Sequence, residues 1–135
     1  MIEMKCCDIL GTRILVTNMA DTVERIEHDM EELRGKYICV GNVHTTVMAH
    51  DDAHYHEVQK SAAFVLPDGK PLSVYSRKHG FPEAERVTGP DLMLELFARE
   101  NVRNITSAAS LLFSMTLWTS ILSSMTVCTI RPLSS

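Results

Sequence analysis

The sequence is short of several things, and each shortage removes a class of protein. Positive charge is not in excess: 13 Lys and Arg stand against 17 Asp and Glu, a net charge of −4. No basic face is on offer to displace the counterions of a phosphate backbone, which excludes a sequence-independent nucleic-acid binder. Cysteine is scarce, and Cys6, Cys7, Cys39 and Cys128 lack metal-ligand spacing. Adjacent side chains such as Cys6 and Cys7 point apart and make a poor clamp. Also missing is an N-terminal basic region followed by an apolar run and a cleavage site, so a reduced, cytoplasmic chain is expected. At 135 residues the chain fits one small domain, able to bury roughly two thirds of its unfolded surface.

Charge is also missing from one region in particular. Of the Asp, Glu, Lys and Arg residues, only Arg131 lies beyond Arg103. From Asn104 to Ile130 there is none, and eleven Ser or Thr fall between Ile105 and Ile130 without a steady period of 2 or 3.6. Three readings compete for residues 104–135. The length suits a membrane helix, but the hydroxyl content makes a poor one. A buried helix or strand pair is the second, and a non-native tail from a reading-frame change is the third. Residues 1–103 form the remaining unit.

Within residues 1–103, strand and helix signals alternate. Ile9 to Val16 reads as one or two short strands with a break at Gly11. Asn18 suits a helix cap, with Asp21 in the first turn. Val23, Ile26, Met30 and Leu33 then recur at helical spacing, and Arg34-Gly35-Lys36 closes the helix. Tyr37 to Val40 is a β-prone run, and a helix is expected from about Thr45 to Ala62. Phe64-Val65-Leu66 is a wholly apolar strand, of the kind covered by helices on both faces. Pro71 to Lys78 predicts a helix, Arg86-Val87 an extended entry, and Thr88 a cap for a helix over Pro90 to Arg99. The alternation predicts an α/β fold with a mainly parallel sheet. In such sheets ligands bind beyond the carboxyl ends of the strands, where Asn42, Asp68 and Thr88-Gly89 fall.

Asp68 sits between a proline, which removes a backbone donor, and a glycine, which frees the backbone. A rigid turn of this kind can present a carboxylate to a ligand, although Pro-Asp-Gly is also an ordinary turn sequence. Arg86 suits a bidentate contact to a diphosphate; beside Glu83 and Glu85 it suits solvent equally well. Thr88-Gly89-Pro90-Asp91 opens a helix, where backbone N–H groups favour an anion, and capping alone also accounts for Thr88. His44, His50, His54 and His56, with Asp51 and Asp52, include an i, i+4 histidine pair. No glutamate base follows, and the segment reads as the polar face of a helix.

Five pieces in order carry a resemblance: Ile9-Leu10-Gly11 with Val16-Thr17, Gly41-Asn42-Val43-His44-Thr45, Leu66-Pro67-Asp68-Gly69, Gly80-Phe81-Pro82, and Arg86-Val87-Thr88-Gly89-Pro90-Asp91-Leu92-Met93. Together they resemble the WecG/TagA/CpsF glycosyltransferases over about Asp8 to Arg99. The resemblance implies a Rossmann-like bacterial enzyme at the inner face of the cell membrane. It implies transfer of a sugar, typically N-acetylmannosamine from its UDP form, to an undecaprenyl-diphosphate-linked acceptor, for teichoic acid, enterobacterial common antigen or exopolysaccharide. Asp68 is then the general base, Arg86 the diphosphate contact, and Asn42 a pocket residue, with Thr88, Gly89 and Asp91 also substrate-binding. No metal or other cofactor is implied.

Two departures matter. Relatives often carry threonine two residues before the pocket asparagine, where this chain has Val40. Relatives also continue past Arg99 with further βα units and a basic C-terminal appendage, whereas here the charge-free segment begins. Arg103 to Ser107 can be back-translated so that another frame encodes an aromatic run of the family kind. We therefore expect a truncated fold with a frameshifted tail, and coding DNA whose alternative frame continues the family pattern past codon 103. An exposed apolar sheet edge would favour self-association into a homo-oligomer. The alternative function is a non-catalytic α/β domain that binds a sugar nucleotide or a partner protein.

Overall fold

A hairpin opens the fold, and its turn explains the break foreseen at Gly11. Strands β1 (Cys6–Ile9) and β2 (Thr12–Leu15) pair antiparallel. Leu10 and Gly11 between them have φ of 53° and 85°, the positive pair that a tight hairpin turn with right-handed strand twist requires. The Gly11 N–H donates to Asp8 Oδ1 at 3.0 Å, fastening the turn. The protein is described here from a computed structural model covering residues 3–99 in full and, past them, the backbone of 105–107 and 126–130.

Helix α1 (Met19–His28) begins at Asn18, whose side chain accepts from the Asp21 N–H at 2.9 Å. It stops sooner than the apolar stripe suggests. Asp29, Glu31 and Glu32 would place three carboxylates at the negative end of the helix dipole; the chain leaves the helix at Asp29 and turns through Gly35 at φ 76°. Leu33 is nonetheless buried and Met30 packs beside it. Strand β3 (Tyr37–Gly41) follows, then two helices where one was expected, α2 (Val43–Asp51) and α3 (Ala53–Ser61). The break is at Asp52, extended at φ −119° and ψ 110°, with its carboxylate accepting from the N–H groups of His54 and Tyr55 at 2.9 and 3.3 Å. A side chain that caps the next helix competes with continuation of the last.

Strand β4 (Val65–Pro67), helix α4 (Lys70–Lys78), helix α5 (Gly89–Phe97) and strands β5 (Ile105–Ser107) and β6 (Thr126–Ile130) complete the described elements. The sheet runs β1-β2-β4-β3-β6-β5. Its centre, β2-β4-β3, is parallel, while β1, β6 and β5 join antiparallel. This is the expected α/β, Rossmann-like arrangement, a parallel centre with helices on both faces. Apart from the two strand backbones, residues 104–135 and the expectations placed on them lie outside the described residues.

Alternation along the strands builds two cores. Leu15, Ile38, Val40, Phe64 and Leu66 face one side and pack with Val23 and Ile26 of α1 and Leu92, Met93 and Leu96 of α5. Ile14, Cys39 and Val65 face the other, with Cys7, Ile9 and Leu72. Burial pushes the Cys39 thiol up to about 11, because a thiolate there would lose its hydration without gaining a partner. The parallel centre matters most for function, since it sends the ends of β2, β3 and β4 to one edge of the sheet.

Candidate active site

The carboxyl ends of those three strands are tied together by backbone hydrogen bonds. Asp68 follows β4 directly, and its N–H donates to the carbonyl of Gly41 at the end of β3 at 2.9 Å. The segment 85–87 crosses the same edge without joining the sheet as a strand. Its Val87 N–H donates to Pro67 O and its Glu85 N–H to Thr17 O, each at 2.9 Å, binding the ends of β4 and β2. Val87 itself is fully buried and pins the crossing. Arg86, between these two anchors, is thereby turned outward over the Pro67-Asp68-Gly69 turn.

The two residues singled out for chemistry therefore meet. Arg86 Nε donates to the Asp68 carbonyl oxygen, and Arg86 Nη2 lies 3.6 Å from Asp68 Oδ1. Asn42 joins them through Gly69, since a Cβ on Gly69 would lie 3.5 Å from the Cα and Cβ of Asn42. Asn42 also caps α2 through a reciprocal box: its Oδ1 accepts from the Thr45 N–H at 3.0 Å, and Thr45 Oγ1 accepts from the Asn42 N–H at 2.9 Å. The carboxamide N–H groups of Asn42 have no hydrogen-bond partner among the described residues and remain available to a ligand.

Helix N-termini add a positive field to this edge. α2 starts after Asn42 and α4 after Gly69, which brings no side-chain cap of its own; Pro71 has no N–H and the Leu72 N–H donates to Gly69 O at 3.1 Å, which leaves the Lys70 N–H as the donor in the first turn of α4, next to Asp68. At α5 the situation is more closed. Thr88 Oγ1 accepts from the Asp91 N–H at 3.2 Å and Pro90 has no N–H, which leaves Gly89 as the donor in that first turn. Asp91 is exposed, and no hydrogen bond or ion pair joins it to Asn42, Asp68 or Arg86 among the described residues.

The histidine pair is not brought together on one helix face, because His50 lies in the last turn of α2 and His54 in α3, beyond the break at Asp52. Among the described residues no group of three or more His, Cys, Asp or Glu is placed to share a metal ion. Thr17, Gly41 and Thr45 were missed as parts of the site. Only Thr45 had a readable signal, the Asn-x-x-Thr spacing of a cap, which would have started α2 at Val43 rather than at Thr45.

A protein-family comparison matches the Glycosyl transferase WecG/TagA/CpsF family over residues 7–111, which is 105 of the 135 residues. The chain belongs to that family. As a WecG/TagA/CpsF member it is built for glycosyl transfer, with a sugar donor and an acceptor as its substrates. The match spans every residue assigned above to the strand-end edge and continues past Arg103 into the charge-free segment. No curated protein matches the chain. No helix among the described residues is long and apolar enough to cross a membrane.

Proposed function

We propose that the chain carries the donor and base site of an inverting glycosyltransferase that moves a hexosamine, N-acetylmannosamine from UDP-N-acetylmannosamine, to an undecaprenyl-diphosphate-linked sugar. The reading rests above all on the meeting of Asp68 and Arg86 at the strand-end edge, an acid on a turn held by two backbone bonds and a cation on the segment that crosses it. Asp68 takes the proton of the acceptor hydroxyl as its oxygen attacks the anomeric carbon. The bond from that carbon to the diphosphate breaks on the opposite face, its electron pair leaving with UDP. Arg86 and the Lys70 N–H at the start of α4 receive the charge that develops on the diphosphate. The free carboxamide of Asn42 and the start of α5, with Thr88 and the Gly89 N–H, line the donor's remaining polar groups, while Asp91 serves only to hold that first turn through its N–H. The acceptor's lipid places the enzyme at the cytoplasmic face of the cell membrane as a peripheral protein, in cell-surface polysaccharide or teichoic acid synthesis.

UDP release in the presence of a lipid-diphosphate-linked sugar tests this. Asp68→Asn is expected to lower the rate by roughly 10²–10⁴-fold, the usual worth of a general base, with an unchanged melting profile. Equal background release from wild type and Asp68→Asn would leave the chain a binding domain without catalysis.

A further inference from the structure

We propose that Asp68 and the donor's diphosphate compete for Arg86, so that arrival of the donor uncovers the base. The inference rests on the donor and base assignments above and couples them through Arg86. Arg86 has two separate attachments to the same turn. Its Nε is committed to the Asp68 carbonyl oxygen, a backbone atom that stays in place whatever the side chain does. Its Nη2 is 3.6 Å from Oδ1, within reach of ion pairing but too long for a hydrogen bond. The carboxylate has no other partner among the described residues, and the two side chains are 55% and 30% exposed.

A guanidinium anchored through Nε keeps four further N–H groups in a rigid fork. These can swing from the carboxylate to a ligand without releasing the turn. The contact they give up is loose and wet, the weakest kind of ion pair. A diphosphate offers more charge and a phosphate geometry that the fork fits with two parallel hydrogen bonds. The dipole at the start of α4 and the Lys70 N–H there draw an anion to the same place. While Arg86 faces Oδ1, that oxygen is turned to a cation rather than to an incoming hydroxyl. Once Arg86 has moved to the donor, Oδ1 is free for the acceptor.

Calorimetric titration of the full chain with UDP tests this in four proteins: wild type, Asp68→Asn, Arg86→Gln and the double variant. The glutamine amide nitrogen occupies the same bond position as Arg86 Nε, so it keeps a donor for the Asp68 carbonyl and preserves the turn. Arg86→Gln is expected to weaken UDP binding by roughly tenfold or more. Asp68→Asn is expected to tighten it by about threefold to fivefold, because a competitor has gone. In the Arg86→Gln background the same Asp68→Asn change should leave affinity unaltered. Tightening that persists without Arg86 would mean simple repulsion between carboxylate and phosphate, and would overturn the competition. No tightening in the single variant would overturn it too, while leaving the donor site in place. Wild type that binds no UDP would remove both the competition and the donor-site reading beneath it.

Discussion

The two ends of the sheet differ in what holds their side chains. At the amino end, the β1–β2 hairpin and α3 leave a cavity of about 280 Å³ bordered by Gly11, Arg13, His56, Lys60 and Phe64. It is roomy and carries charge. Yet neither Arg13 nor His56 has a side-chain partner among the described residues, and Lys60 pairs at 3.7 Å with Glu57 on its own helix. The carboxyl end is organised by the backbone instead: Gly41 O, Pro67 O and Thr17 O each fix a neighbouring segment at 2.9 Å. Volume collects side chains, whereas backbone bonds between strand ends set their positions to within the tolerance that catalysis needs. That contrast is why the site proposed above lies at the better-tied end.

Between the ends lies Cys39, and titrating it should weaken both together. Burial raises its thiol from 9.0 to about 11, so the folded chain holds the proton more tightly than the unfolded one. The resulting stability is complete below pH 9 and is lost as pH rises towards 11, an effect on the order of 2–3 kcal/mol. Tyr55, whose phenol is also pushed up by burial, adds a loss of the same sign at still higher pH. Urea midpoints at pH 8 and 11 check this against Cys39→Val, which removes the thiol at similar volume. An equal drop in the variant would clear Cys39 of responsibility.

A smaller and more local blow is Gly41→Val. A Cβ there would stand 3.1 Å from Val65 Cγ1 and 3.5 Å from Thr45 Oγ1, closer than a packed core allows without a shift. We expect a loss of about 1–3 kcal/mol by overpacking, and a fall in UDP release larger than the stability loss explains, because the Gly41 carbonyl holds Asp68. A variant that melts lower but transfers at the normal rate would show that the Asp68 turn does not depend on β3.

Much of this arrangement was legible in the sequence. Apolar runs marked β3 and β4, and Asn18 and Thr88 announced their helices, because these signals act over a few residues. The placement of Asp68 at a strand end followed from Pro67 and Gly69 directly after an apolar run. What could not be read was set by competition or by distance. Asp52 breaks a helix only because its carboxylate reaches the next two N–H groups, and α1 stops at His28 where charge outweighs the apolar stripe. The approach of Arg86 to Asp68 depends on Val87 and Glu85 bonding to two strands far away in sequence, and no local pattern carries that information.

The smallest expected effect is at the amino end, and it is the sharpest test of the contrast. Replacing Arg13 and Lys60 together by alanine removes two exposed cations from the cavity rim and breaks one surface pair. Such pairs contribute between nothing and about 1 kcal/mol, and surface changes of this kind usually stay within about 0.5 kcal/mol. The double variant should therefore melt close to wild type and release UDP within about twofold of its rate. Long-range loss of two positive charges gives no reason to expect more, because beyond a Debye length of about 8 Å at physiological salt their field is largely screened. If the double variant instead loses UDP binding as severely as Arg86→Gln, the diphosphate sits in the amino-end cavity. The carboxyl-end bonds would then be scaffolding alone, and Asp68 would have no substrate to act upon.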